Sequence, residues 1–148
     1  MNTINQGSEG RNVDARQRTL LILWFMILMS VGFMFFLTLV IQRPAAGGGD
    51  NTLLWVFAAV SIFPFLLSFV IKRKLLVQSV REQKIALVQS AMIVAVALCE
   101  SVSLFGMMVY FTTTTPYYYV FFIVSVIGIL LHMPRRDQLL AASYKTPV

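Results

Sequence analysis

One carboxylate stands where a charge is costly. Glu100 lies near the middle of an apolar run from Ile85 to Phe111. An ionised acid or base at the centre of a spanning helix costs roughly 2.5–3.5 kcal/mol on insertion scales. A carboxyl can avoid that cost by holding a proton, so this residue type at this depth points to reversible binding of a proton or cation. The alternative chemistry is a buried hydrogen-bonding group that fixes helix packing. Steps of three, four and eleven residues put Gln89, Ile93, Val96, Ser103, Met107 and Phe111 on the Glu100 face. Ser103 is expected to share a hydrogen bond with the carboxyl. Gln89, about three turns away, marks an expected route to it. A serine in an apolar helix can also turn its hydroxyl back onto its own backbone.

Ala91, Ala95, Cys99 and Ser103 recur every four residues beside Glu100, and Gly106 follows. Such a row of small side chains lets another helix approach closely. Cys99 is the single cysteine, so it forms no intrachain disulfide and reads as a packing residue. His132 is the single histidine, beside Arg135 and Arg136, and is expected to meet a headgroup or a helix end. With one thiol and one imidazole, neither a thiol pair nor a two-histidine haem site can be built in one chain. No phosphate-cradling glycine motif and no polar triad at membrane depth is present. The expectation is a protein without enzyme activity, cofactor or metal.

The elements that position these residues follow from hydropathy. With 58% hydrophobic and 12% charged residues in 148, the chain is too apolar for a soluble domain, as its mean hydropathy of +0.78 also indicates. Four apolar runs, about residues 20–41, 53–71, 85–111 and 117–133, cover roughly 25 to 40 Å each as helices. The expected fold is therefore all-α, a four-span transmembrane helical protein. The first run is too long for the apolar segment of a cleavable signal sequence, about 7–15 residues, and is read as a retained span.

Charge orients the spans. Eleven of the twelve basic residues fall before the first run, between the second and third, or after the fourth. The exception, Arg43, shares its loop with Asp50, and residues 112–116 carry no charge. The positive-inside rule places both termini and residues 72–84 in the cytoplasm. The net charge of +6 is then explained by topology and by anionic headgroups on the cytoplasmic side, without nucleic acid. Residues 1–19 read as a disordered cytoplasmic tail, residues 42–52 with Gly47-Gly48-Gly49 as a flexible outer loop, and residues 134–148 as a second cytoplasmic tail in which 135–144 can form an interfacial helix. Residues 72–84 mix apolar and basic side chains, a composition that suits either spans two and three continuing past the bilayer as a helical hairpin or a segment lying partly in the headgroups.

The run Cys99-Glu100-Ser101-Val102-Ser103-Leu104-Phe105-Gly106-Met107-Met108 resembles the carboxylate-bearing helix of rotary-ATPase proteolipids, the c-type ring subunits, and most closely the vacuolar type. The resemblance covers about residues 91–111, with Cys99, Glu100 and Gly106 as its informative positions. It implies that Glu100 is the ion-binding acid of a proton-binding or proton-translocating subunit, in a homo-oligomer or with a partner in a multi-pass cell-membrane complex. The second span departs from the pattern: it has no glycine and carries Trp55, Phe57, Phe63, Pro64, Phe65 and Phe69, where the family lines its ring with glycines. Two other readings stand beside it, a non-catalytic structural or accessory subunit and a small proton-coupled multidrug antiporter. The antiporters carry their acid on the first span, whereas here it is on the third.

Overall fold

The structure, a computed structural model, describes residues 3–42, 51–82, 84–135 and 137–139. All regular structure among these residues is helical. Helix α1 runs Thr3–Val40, α2 Asn51–Glu82 and α3 Ile85–Thr112; a 3-10 turn, Pro116–Tyr118, leads into α4, Tyr119–Leu131. Three helices are long and apolar enough to cross a membrane, which is compatible with an integral membrane protein. Their 38, 32 and 28 residues correspond to lengths of about 57, 48 and 42 Å.

The fourth element ends two residues before the run of 117–133 does. The apolar helical stretch Pro116–Leu131 reaches about 25 Å, the length expected of that run. Its bounds have local causes. Thr113, Thr114 and Thr115 stay outside any helix, in keeping with the cost of packing β-branched side chains against a helical turn. Pro116 then fits the first position of a helical turn, where a missing N–H is harmless. At the other end His132 caps α4, its N–H reaching back to Gly128 and Ile129, and Pro134 cannot continue the ladder.

The ends of the chain also differ from the expected tails. Helix α1 begins at Thr3, so residues 3–19 continue the helix instead of forming a disordered segment. Extending an existing helix costs far less than nucleating one, and the apolar stretch after Leu20 supplies the nucleus. Beyond Pro134, residues 137–139 make a helical turn, and Leu139 is buried with Leu20, Val88 and Met92 against Leu76. The chain after α4 therefore folds back onto the middle of α1, the last turns of α2 and the first turns of α3. Residues 43–50 and 140–148, including the three-glycine loop, lie outside the described residues.

Helix α3 is the hub. In its most apolar stretch 44% of residues are buried, against 11% in α1 and in α2. It packs most extensively on α2, then on α4 and α1, while α1 and α2 do not meet and α2 barely touches α4. The outer faces of α1 and α2 stay bare: Phe25, Met29, Phe33 and Phe36 on one, Trp55, Phe63 and Leu66 on the other. A soluble monomer rarely exposes contiguous apolar surface of this extent. Hydroxyls along the helices are satisfied locally. Thr38 donates to Phe35 O, Ser61 to Ala58 O, Ser68 to Phe65 O and Ser101 to Leu98 O. These back-bonds let a polar side chain sit in an apolar helix without a distant partner.

Candidate functional site

Glu100 faces α1. Its side chain is half-buried, and the hydroxyl of Ser30 donates to its Oε1 at 2.8 Å. The positions one turn before and two turns after it, Val96 and Met107, pack in one cluster with Val31, Ile27 and Met34. The carboxyl is therefore a polar point at the edge of an apolar α1–α3 seam. Ser30 was not singled out from the sequence. With Thr38 it is one of two hydroxyl residues in the first apolar run, which is a signal, but nothing in the run pairs it with a residue 70 positions away.

Ser103 behaves differently from expectation. Its hydroxyl donates to the backbone carbonyl of Glu100 at 2.7 Å and lies 3.7 Å from Met34 Sδ. It does not bond to the Glu100 carboxyl, because a serine three residues on finds the carbonyl directly beneath it. Gln89 is half-buried and stands about 16 Å along the α3 axis from Glu100. Ile93 and Val96 lie between them on that face, so the two polar groups are not brought together.

The row of small residues is enclosed. Ala91, Ala95, Cys99 and Ser103 each have no exposed surface. A Cβ built on Gly106 would meet Phe121 Cβ at 2.7 Å, and one on Gly128 would meet Cys99 Sγ at 2.8 Å and Phe65 Cε2 at 3.0 Å. At Gly106 the obstruction is the Phe121 Cβ and the Tyr118 carbonyl, both fixed to backbone, and at Gly128 it is the Cys99 side chain and the Phe65 ring of α2, so a side chain at either place forces its neighbours to move.

A second polar group gathers behind Cys99. Its Sγ is 3.6 Å from Ser68 Oγ and 4.0 Å from His132 Nδ1, and the Ser125 hydroxyl donates to the Cys99 carbonyl at 2.8 Å. His132 has no exposed surface. Its Nδ1 lies 2.7 Å from Gly128 O, a pure acceptor, so the ring proton belongs on Nδ1. The ring also packs against Phe69, centroids 4.6 Å apart and planes tilted by 59°. The sequence placed this histidine at a headgroup or helix end. It does close the end of α4, but inside the bundle, because the chain turns at Met133 and Pro134 and folds back over it. Trp24 Nε1 donates to Ile129 O at 2.8 Å, tying α1 to the same part of α4.

Glu100 and Cys99 are neighbours in sequence yet face different helices, since adjacent positions diverge by about 100° around a helix. The carboxyl addresses α1; the thiol addresses α2 and α4. Among the described residues no three His, Cys, Asp or Glu side chains converge as a metal site. What the arrangement can do chemically rests on Glu100: a carboxyl with one hydroxyl donor, reachable at the edge of a seam. Comparison with known protein families, with curated proteins and with solved structures finds no match.

Proposed function

We propose that this chain is an integral membrane protein whose Glu100 carboxyl takes up and releases a proton at bilayer depth, as the proton-binding subunit of a proteolipid-like membrane assembly. The observation that carries the reading is the Ser30–Glu100 pair. Ser30 is a neutral donor at 2.8 Å, and a hydroxyl can serve the carboxyl in either protonation state. An arginine or lysine in its place would hold the group as a fixed anion. Ser30 thus orients the acid without committing its charge. In this reading both termini and residues 72–84 face the cytoplasm, the membrane is the cell membrane, and a second copy or another subunit covers the half-exposed side of Glu100.

A structural role has its own observation. Ser30–Glu100 is one of several hydrogen bonds between helices, with Trp24 to Ile129 O, Ser125 to Cys99 O, and Tyr110 to Ile41 O at the end of α1. In an accessory subunit Glu100 would be one more such tie.

Carbodiimide labelling separates the two readings. The reagent attacks protonated carboxyls in apolar surroundings, so with the full chain in lipid nanodiscs the adduct is expected at Glu100 and declines as pH rises. Glu100→Gln keeps an acceptor for Ser30 but cannot ionise. It should preserve the bundle and abolish proton flux in proteoliposomes. Flux unaltered in the Gln variant, with labelling indifferent to pH, would leave only the structural role.

A further inference from the structure

Two cations meet at one end of the bundle with no described carboxylate between them. Helices α2 and α4 run the same way, since each is joined to α3 by a short connection and packs along it. Phe69 on α2 and His132 at the end of α4 stand at one level, their ring centroids 4.6 Å apart. Lys72 and Arg135 each follow three residues later, so both reach the same end. Lys72 is half-buried. Its ammonium is within electrostatic reach of Cys99 and His132, and the Arg135 guanidinium is close enough to repel it. We propose that Lys72 and Arg135 together bind the phosphate of an anionic membrane phospholipid. The proposal rests on the placement in a membrane and is independent of the Glu100 reading.

Unmet charge selects an anion. Neither cation pairs with a carboxylate among the described residues. Glu82 is held by Lys84 at 3.0 Å and by Gln78 at 2.7 Å, and Asp137, two residues past Arg135, is exposed and pairs with neither. Partial burial of an ammonium beside a like charge is unfavourable, and the fold imposes it: Pro134 turns the chain, and Leu139 anchors it against Leu20, Val88 and Met92. An anion between the two groups relieves both terms. Ammonium and guanidinium each donate to phosphate oxygens, the guanidinium as a fork. Depth selects a lipid as the source of the phosphate. The apolar runs end at Ile71 and Met133, so Lys72 and Arg135 are the first charged side chains past the bilayer core on their segments, at headgroup level. Phe69 and Met133, on the bilayer side of the pair, are exposed apolar side chains on which acyl chains can rest. A phosphate monoester, about −1.5 to −2 in charge at pH 7, matches two cations better than a singly charged diester.

The test is native mass spectrometry of the full chain released from detergent micelles, titrated with phosphatidate, phosphatidylglycerol and phosphatidylcholine of identical acyl chains. Affinity should fall in that order. Lys72→Gln and Arg135→Gln should each weaken phosphatidate binding by about tenfold, the loss of one charge-assisted bond. Arg73→Gln and Lys74→Gln remove the same charge from exposed neighbours and should weaken it by less than about twofold in about 0.15 M ammonium acetate. Lys72→Arg should retain binding. Helical circular dichroism checks each variant, and if Lys72→Gln does not fold, Arg135→Gln, a change at an exposed position, decides. Inorganic phosphate in millimolar excess should leave bound phosphatidate in place. Displacement by it would show that free phosphate is the ligand and overturn the lipid assignment. Equal losses from the two pairs of variants, or equal retention of the three lipids, would overturn the site itself.

Discussion

Gly106→Ala and Gly32→Ala are the same chemical change with opposite expected outcomes. A methyl on Gly106 would stand 2.7 Å from Phe121 Cβ, where ordinary contacts begin near 3.4 Å, and 3.3 Å from Tyr118 O. Both the Phe121 Cβ and the Tyr118 carbonyl are fixed to backbone, so no rotamer change relieves the clash. Helix α4 must move away from α3 by about 1 Å, an overpacking strain of roughly 1–3 kcal/mol. A methyl on Gly32 meets nothing within 4 Å. Each substitution also gains up to about 1 kcal/mol of helix propensity, and that gain cancels when the two variants are compared. Unfolding in mixed detergent micelles with rising SDS, followed by helical circular dichroism, should therefore place Gly106→Ala below Gly32→Ala by about 1–3 kcal/mol. Equal stabilities within about 0.5 kcal/mol would mean that α3 and α4 do not approach as described, and the enclosure of the small-residue row on α3 would be in doubt with them.

The row itself gives a second contrast. Ala95 has no exposed surface and Ile93 is 41% exposed, so Ala95→Leu should cost about 1–3 kcal/mol in the same assay while Ile93→Leu stays mild; equal tolerance places the row against lipid. At the α1–α3 seam, a double-mutant cycle of Ser30→Ala and Glu100→Ala should return a coupling of about 0.6 kcal/mol, the typical hydrogen-bond value between membrane helices, and at most about 1.7. No coupling would remove Ser30 as the partner of the carboxyl. Orientation is testable with an impermeant thiol reagent on intact cells: Thr114→Cys should react from outside and Gln78→Cys should not, whereas the reverse pattern inverts the topology. Both positions are exposed, and Cys99 is enclosed and should give no background.

Residue composition and periodicity already dictate a helical protein with long apolar segments, since a backbone without water must satisfy its own hydrogen bonds. The limits of α3 illustrate how far this goes: the apolar run 85–111 is the helix Ile85–Thr112 within one residue. The continuation of α2 through Lys72, Arg73 and Lys74 to Glu82 was only one of two readings, because Leu75, Leu76, Val77 and Val80 among the charges suit a longer helix or a segment in the headgroups equally well. The end of α4 at Leu131 was not legible. Hydropathy registers Met133 as apolar but does not register a chain that turns back at Pro134.

Partners were beyond the sequence for a different reason. Spacing along α3 fixes which residues share a face with Glu100, yet it does not say which helix covers that face. In an apolar solvent the outward surfaces of α1 and α2 are satisfied by lipid as readily as by protein, so hydrophobicity carries little information about who meets whom. Only the tertiary arrangement turned Ser30 to the carboxyl and enclosed His132 beside Cys99. Close approaches at Gly106 and Gly128, where no side chain intervenes, let α4 seat on α3 beside Cys99.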